Sequence, residues 1–82
     1  MIQLRVLVSL KTSVFDPQGR TILEALHGLG YEAATDLRQG KSFLLSFEGL
    51  GEEEARLQAE EMATKVLSNP VIESFKVERV TG

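Results

Sequence analysis

Apolar side chains at Ile2, Leu4, Val6, Val8 and Leu10 alternate with Gln3, Arg5, Leu7 and Ser9. A period of two over nine residues predicts a strand with one buried face. The period changes at Asp16-Pro17-Gln18-Gly19. Asp is a favoured helix N-cap, because its carboxylate accepts a bond from an unpaired first-turn amide, and Pro suits the first helical position. A helix is therefore predicted from Pro17 to about Leu29, ended by Gly30 at the left-handed C′ position. Its core stripe is Ile22, Leu26 and Leu29, widened by Leu23 and Ala25, with Thr21 and Glu24 facing away. A weak strand over 33–38 and a strand over Lys41–Phe47 flank Gln39-Gly40, which reads as a tight turn, so the pair is expected to form a β-hairpin. Phe43, Leu45 and Phe47 share one face of the second of these strands, and Leu44 lies on the other. Glu48-Gly49-Leu50-Gly51 leads into a second helix whose first turn carries Glu52, Glu53 and Glu54, the sign the helix dipole favours. Ala55, Ala59, Met62 and Val66 form its stripe, with Ala63 and Leu67 beside it, and Asn69-Pro70 stops it. A final strand over Val71–Val80 places Val71, Phe75 and Val77 on one face.

The order is β-α-β-β-α-β over one domain, residues 1–82. It implies an α+β two-layer sandwich, with both helices on one face of a four-stranded antiparallel sheet in ferredoxin-like topology. On that arrangement Leu7, Leu44, Ile72 and Val80 point to the face without helices. An apolar sheet face on so small a chain is expected to be covered in an oligomer, so Leu7, Leu44 and Ile72 are the expected dimer contacts.

Composition narrows the function more by exclusion than by assignment. A formal charge of −3 argues against a general nucleic-acid binder, and the strands lack the aromatic residues of an RNA-binding platform. The chain has no cysteine, which excludes disulfides, thiolate metal sites and thiol catalysis. Met1-Ile2-Gln3-Leu4-Arg5 lacks the form of a secretory leader, and no apolar run is long enough to span a membrane; a cytoplasmic location is expected. The lone histidine, His27, lacks a second His or Cys, and a position near a helix C-terminus accounts for it. Asp16 is accounted for by its cap, and the runs Glu52–Glu54 and Glu60-Glu61 by a solvated helix face. Gly28 and Gly30 are spaced as in a dinucleotide fingerprint but end a helix instead of opening one. No catalytic, cofactor-binding or metal residues are expected. Arg38 and Lys41, flanking the predicted turn, are basic residues suited to a phosphate or to an acidic partner surface.

Several segments, laid out together, resemble the PurS family, the small subunit of phosphoribosylformylglycinamidine (FGAM) synthase. They are Val8-Ser9-Leu10-Lys11, Ser13-Val14, Asp16-Pro17-Gln18-Gly19, Ala25-Leu26-His27, Gly30-Tyr31, Asp36-Leu37-Arg38-Gln39-Gly40-Lys41, Leu67, Asn69 and Val71-Ile72-Glu73. The resemblance implies a non-catalytic dimeric subunit of a purine-biosynthetic ligase. It would join a glutaminase subunit (PurQ) to a synthetase subunit (PurL) and support ammonia transfer between them. The assembled complex would use glutamine and ATP with Mg, none of them bound by this subunit. Partner contacts are expected at Ser13, Asp16, Gln18 and Gly19 in the first loop and at Arg38, Gly40 and Lys41 around the turn. The same element order also fits a regulatory domain of the ACT type that binds a small effector, although the Lys11–Phe15 loop lacks a glycine-rich bend. A stand-alone acylphosphatase-like enzyme would need an anion-cradling arginine and asparagine, whereas the only asparagine, Asn69, precedes a proline far from such a loop.

Overall fold

A computed structural model describes residues 1–80. The element order is β1 (Ile2–Leu10), α1 (Pro17–Gly28), β2 (Gly40–Phe47), α2 (Glu52–Met62), a π-helical turn (Ala63–Leu67) and β3 (Glu73–Arg79). β1 is the centre of a three-stranded sheet in the order β2-β1-β3, antiparallel to both neighbours. The registers pair Val6 with Phe43 on one side and with Val77 on the other, so the alternating apolar set of β1 meets the apolar sets of both edge strands. Leu4 and Val6 are fully sealed and Val8 nearly so, as the period of two requires.

α2 lies over this central strand. Ala55, Ala59 and Ala63 are completely buried against it, and small side chains let helix and sheet approach closely. Arg56 donates to the Val77 carbonyl at 3.0 Å, and Arg79 pairs with Glu52, fixing the N-terminal half of α2 to β3. Met62 and Val66, expected in the core, are exposed, and Ala63 and Leu67 take their place. A spacing of four drifts by about 40° per step around an α-helix of 3.6 residues per turn. The π turn rotates less per residue and returns Leu67 to the sheet side; the Ser68 amide and hydroxyl both donate to the Ala63 carbonyl, at 2.9 and 2.8 Å.

Three expectations are corrected. The segment 33–38 forms no strand, so the four-stranded ferredoxin-like sheet and the hairpin around Gln39-Gly40 are absent among the described residues. Its polar groups are engaged elsewhere: Asp36 accepts from the Leu37 amide, Asp16 accepts from the Gln39 amide, and the Ala34 carbonyl bonds the His27 ring. Ala-Ala-Thr-Asp also offers little side chain to a pleated surface. The final strand begins at Glu73, two residues late, because Asn69 accepts from the amides of Val71, Ile72 and Glu73 and holds the chain in a turn. Lastly, α1 is not stacked on the sheet beside α2. The radius of gyration is 16.0 Å, against about 12 Å for a compact chain of this length.

α1 and residues 31–39 instead form an arm. The helix ends in a full Schellman motif: Gly30, at φ 101°, donates to the His27 carbonyl and Tyr31 to the Leu26 carbonyl. The chain then runs back along the helix and re-enters the body at Gly40. Leu23 is buried, whereas Ile22 and Leu29 of the predicted stripe are 41% and 74% exposed.

Candidate docking site at the arm junction

The arm leaves and rejoins the body at one place, where Asp16, Gly19, Arg38, Gln39 and Gly40 meet. Asp16 is 8% exposed and its carboxylate is shared between two chain segments. Oδ1 accepts from the Gly19 amide at 2.9 Å, as the N-cap prediction requires, and Oδ2 accepts from the Gln39 amide at 2.8 Å. The Gln39 and Gly19 amides, in that order, hold the Asp16 carboxyl below the ordinary carboxylate range; desolvation opposes them less strongly, and the Arg38 charge adds a still smaller lowering. Arg38 reaches the other way: its Nη2 donates to the carbonyls of Lys11 at 2.9 Å and Val14 at 2.7 Å. Asp16 thus holds the returning segment, and Arg38 of that segment holds the loop before Asp16. The result is a reciprocal clasp.

Two glycines make the clasp sterically possible. A Cβ on Gly19 would lie 2.5 Å from the Leu37 carbonyl oxygen, and a Cβ on Gly40 would lie 2.5 Å from that of Val8. Neither glycine has a positive φ; both are small because backbone passes against backbone.

The predicted partner residues therefore divide. Asp16, Gly19, Arg38 and Gly40 are drawn together, but as parts of the clasp. Ser13, Gln18 and Lys41 are exposed around its rim, Lys41 lying 3.6 Å from Glu73. Of the predicted dimer residues, Leu7 and Leu44 are diagonal neighbours on the bare sheet face, and Ile72 lies in the turn before β3. Around the two leucines that face carries Gln3, Arg5, Ser9, Ser42, Ser46, Ser74, Lys76 and Glu78.

Sequence reasoning missed the Gln39 amide and the carbonyls of Lys11 and Val14, which have no side-chain signal. It also passed over Phe15 and Tyr31, exposed aromatics on the arm whose signal was an apolar ring in a predicted loop. His27, about 2.6 Å from the Ala34 carbonyl through Nε2, ties the returning segment to α1. Hollows of about 210 and 270 Å³ flank the clasp, below the roughly 300–1,000 Å³ of small-molecule sites, and a third of about 490 Å³ beside Pro17, Gln18, Ile22 and Gln39 is a wide-open depression that would enclose little of a ligand. With its exposed polar rim, the junction has the form of a protein-docking surface.

The molecule is thus defined as a small α+β module with a braced arm and an exposed polar rim at its base. Residues 3–81 match the family described as PurS, phosphoribosylformylglycinamidine (FGAM) synthase. The PurS subunit of Methanocaldococcus jannaschii is 38% identical, covering 98% of this chain and 99% of its own length. That of Bacillus subtilis is 40% identical over 95% of this chain and 92% of its own. Among solved structures, PurLQS from Thermotoga maritima aligns with a TM-score of 0.89 at 29% identity, covering 96% of both chains. The chain belongs to the PurS family.

Proposed function

We propose that this chain is the small subunit of an FGAM synthase acting in purine biosynthesis, in complex with PurL-type and PurQ-type subunits. The observation that carries this reading is the family match over residues 3–81, together with the fit to a chain of the Thermotoga maritima PurLQS structure. On this reading the assembled enzyme consumes glutamine and ATP with Mg, and the catalytic groups reside on the other subunits. This subunit orients its neighbours so that ammonia released at one site reaches the other shielded from water, where it would be protonated and lost.

Ser13, Gln18 and Lys41 are the proposed partner contacts, since they are exposed at the junction and make none of the clasp's own bonds. For self-association two surfaces are available: the bare sheet face at Leu7 and Leu44, and the arm. The subunit reading is tested by reconstitution with the glutaminase and synthetase subunits of the same organism. Glutamine-dependent product formation and complex size should both require this chain, which alone should form no product. If both proceed unchanged without it, the reading fails. Gln18→Ala with Lys41→Ala should weaken assembly while leaving the clasp closed; unchanged assembly would remove the junction rim from the interface.

A further inference from the structure

The buried line of α2 can be continued past Ala63 in two registers, and the sequence supplies an apolar residue for each. At about 100° per residue, an unbroken α-helix would turn Val66 to within about 20° of the middle of the buried Ala55–Ala59–Ala63 line and leave Leu67 about 80° off it. The π turn at Ala63–Leu67 reverses that order: Leu67 packs against the cluster of Val6, Val8 and Ala63, and Val66 is 78% exposed. The two registers differ in the bond partner of one carbonyl. That of Ala63 accepts from the Ser68 amide and hydroxyl, whereas an α-helix would bond it to the Leu67 amide. The helix is already loosened just before this point. The Ala63 amide is shared between the Ala59 and Glu60 carbonyls, and the Thr64 hydroxyl donates back to that of Glu60 at 2.9 Å, a contact that bends helices.

A π turn takes up one residue more than an α turn, so a return to the α register passes one residue into the segment before β3. That segment is tied to the base of the arm. Asn69 gathers the amides of Val71, Ile72 and Glu73, and its own amide donates to Glu73 Oε1 at 2.7 Å. The other Glu73 oxygen lies 3.6 Å from Lys41 Nζ, and the Ile72 carbonyl accepts from the Lys11 amide at 2.9 Å. Lys11 in turn offers its carbonyl to Arg38. Slack released at Ser68 therefore reaches both the rim at Lys41 and the loop that Arg38 holds.

We propose that residues 63–68 are a register switch that tightens or slackens the rim of the arm junction. In the tight state Ser68 bonds the Ala63 carbonyl and Leu67 lies on the sheet. In the slack state the Leu67 amide takes that carbonyl, Val66 turns inward in place of Leu67, and the turn before β3 is one residue longer. A subunit that grips Lys41 in its present geometry binds the tight state better and so selects it. The switch is a property of the lone chain and rests on the subunit reading only for the partner that selects a state.

The test is NMR relaxation dispersion on the full chain, read at the Val66 and Leu67 methyls and at the amides of residues 63–73. The lone chain should show exchange there on the microsecond-to-millisecond scale, with a slack state of about 1–10%. Leu67→Ala removes the side chain that favours the tight state. It should raise the slack population by about tenfold or more and shield the Val66 methyls from a soluble paramagnetic probe. Ser68→Ala, which takes away only the hydroxyl bond, should raise the slack population by about three- to tenfold. Deletion of the exposed Lys65 removes the surplus residue, keeps Leu67 on the sheet in a regular α-helix and should abolish the exchange. A native chain without exchange at 63–73, or a Ser68→Ala chain in which the populations do not move, overturns the switch. Methyl dispersion that persists unchanged once the glutaminase and synthetase subunits are bound overturns its selection by a partner. Product formation that does without this chain removes the subunit reading and leaves the switch, measured on the lone chain, in place.

Discussion

The body of the molecule and its arm are built from equally amphipathic segments, yet they are held by different forces. In the body, the period-two pattern of β1 and the small-residue stripe of α2 close on each other, and Leu4, Val6, Ala55, Ala59 and Ala63 lose all contact with water. In the arm, Leu23 is covered but Ile22 and Leu29 of the α1 stripe are left exposed, and order comes chiefly from directed polar bonds: the Asp16 cap, the two bonds of Arg38, the Schellman turn and the His27 tether. Burial is non-directional and sums over area, whereas each of these bonds fixes one distance and one direction. A region secured in the second way keeps its aim while leaving its apolar side free for another surface.

Substitutions can separate the two regimes. The largest loss is expected from Leu4→Ala, about 3 kcal/mol from lost burial and the cavity left behind, read from urea unfolding. The transition should move as a whole, because β1 is the strand both neighbours share. Gly19→Val should strike the arm instead. Its Cβ collides with the Leu37 carbonyl, and the amides of residues 17–39 should exchange at least about tenfold faster while those of β1 keep their protection. If β1 loses protection equally, the two regions are one cooperative unit held by the same forces.

Asp16→Asn should produce a milder opening, confined to the Gly19 and Gln39 amides, and should reveal the role of charge. The folded chain favours the carboxylate, so the Asp16 pKa lies below its unfolded value. Its stabilising contribution is then complete above the ordinary carboxylate value of about 4 and is lost as pH falls through the lower folded value. Protection of these two amides in the native chain should decline only in that acid window, and the Asn variant should show no such decline. The smallest effect belongs to Arg20→Ala. Its pair with Glu24 is 64% exposed on both side chains, and its removal should cost no more than about 0.5 kcal/mol in the same unfolding measurement.

The body was legible in the sequence because its signals are local and periodic. β1 runs over the predicted residues, β2 starts one residue early, and the caps at Asp16 and Gly30 sit where their chemistry placed them. The arm was illegible in one respect only. The stripe at Ile22, Leu26 and Leu29 announces a buried face but not whose surface buries it, and the same period serves a helix on its own sheet or on a neighbour's. The missing fourth strand follows from the same limit. Ala33 to Arg38 reads as weakly extended, and extended it is, but its polar groups turn to α1 and to Asp16 instead of to a strand partner. The motif residues of the junction meet in space, and they carry an internal task that their sequence signals did not announce. Asp16, Gly19, Arg38 and Gly40 brace the molecule from within, and the less distinctive Ser13, Gln18 and Lys41, the contacts proposed above, lie exposed around them.

Mechanically, the clasp is a short pivot carrying a long lever. The 12 residues of α1 extend about 18 Å from Pro17. A tilt of about 10° at the pivot would carry the far end, with Leu29 and Tyr31, sideways by about 3 Å, enough to pull a side chain out of a contact of about 4 Å. Bonds of 2.7 to 2.9 Å among Asp16, Gly19, Gln39, Arg38, Lys11 and Val14 therefore set an alignment whose error is magnified with distance. Stiffness at this joint matters more than strength: a substitution that leaves the melting temperature unchanged but loosens the pivot would still spoil any assembly that depends on where the tip of the arm arrives.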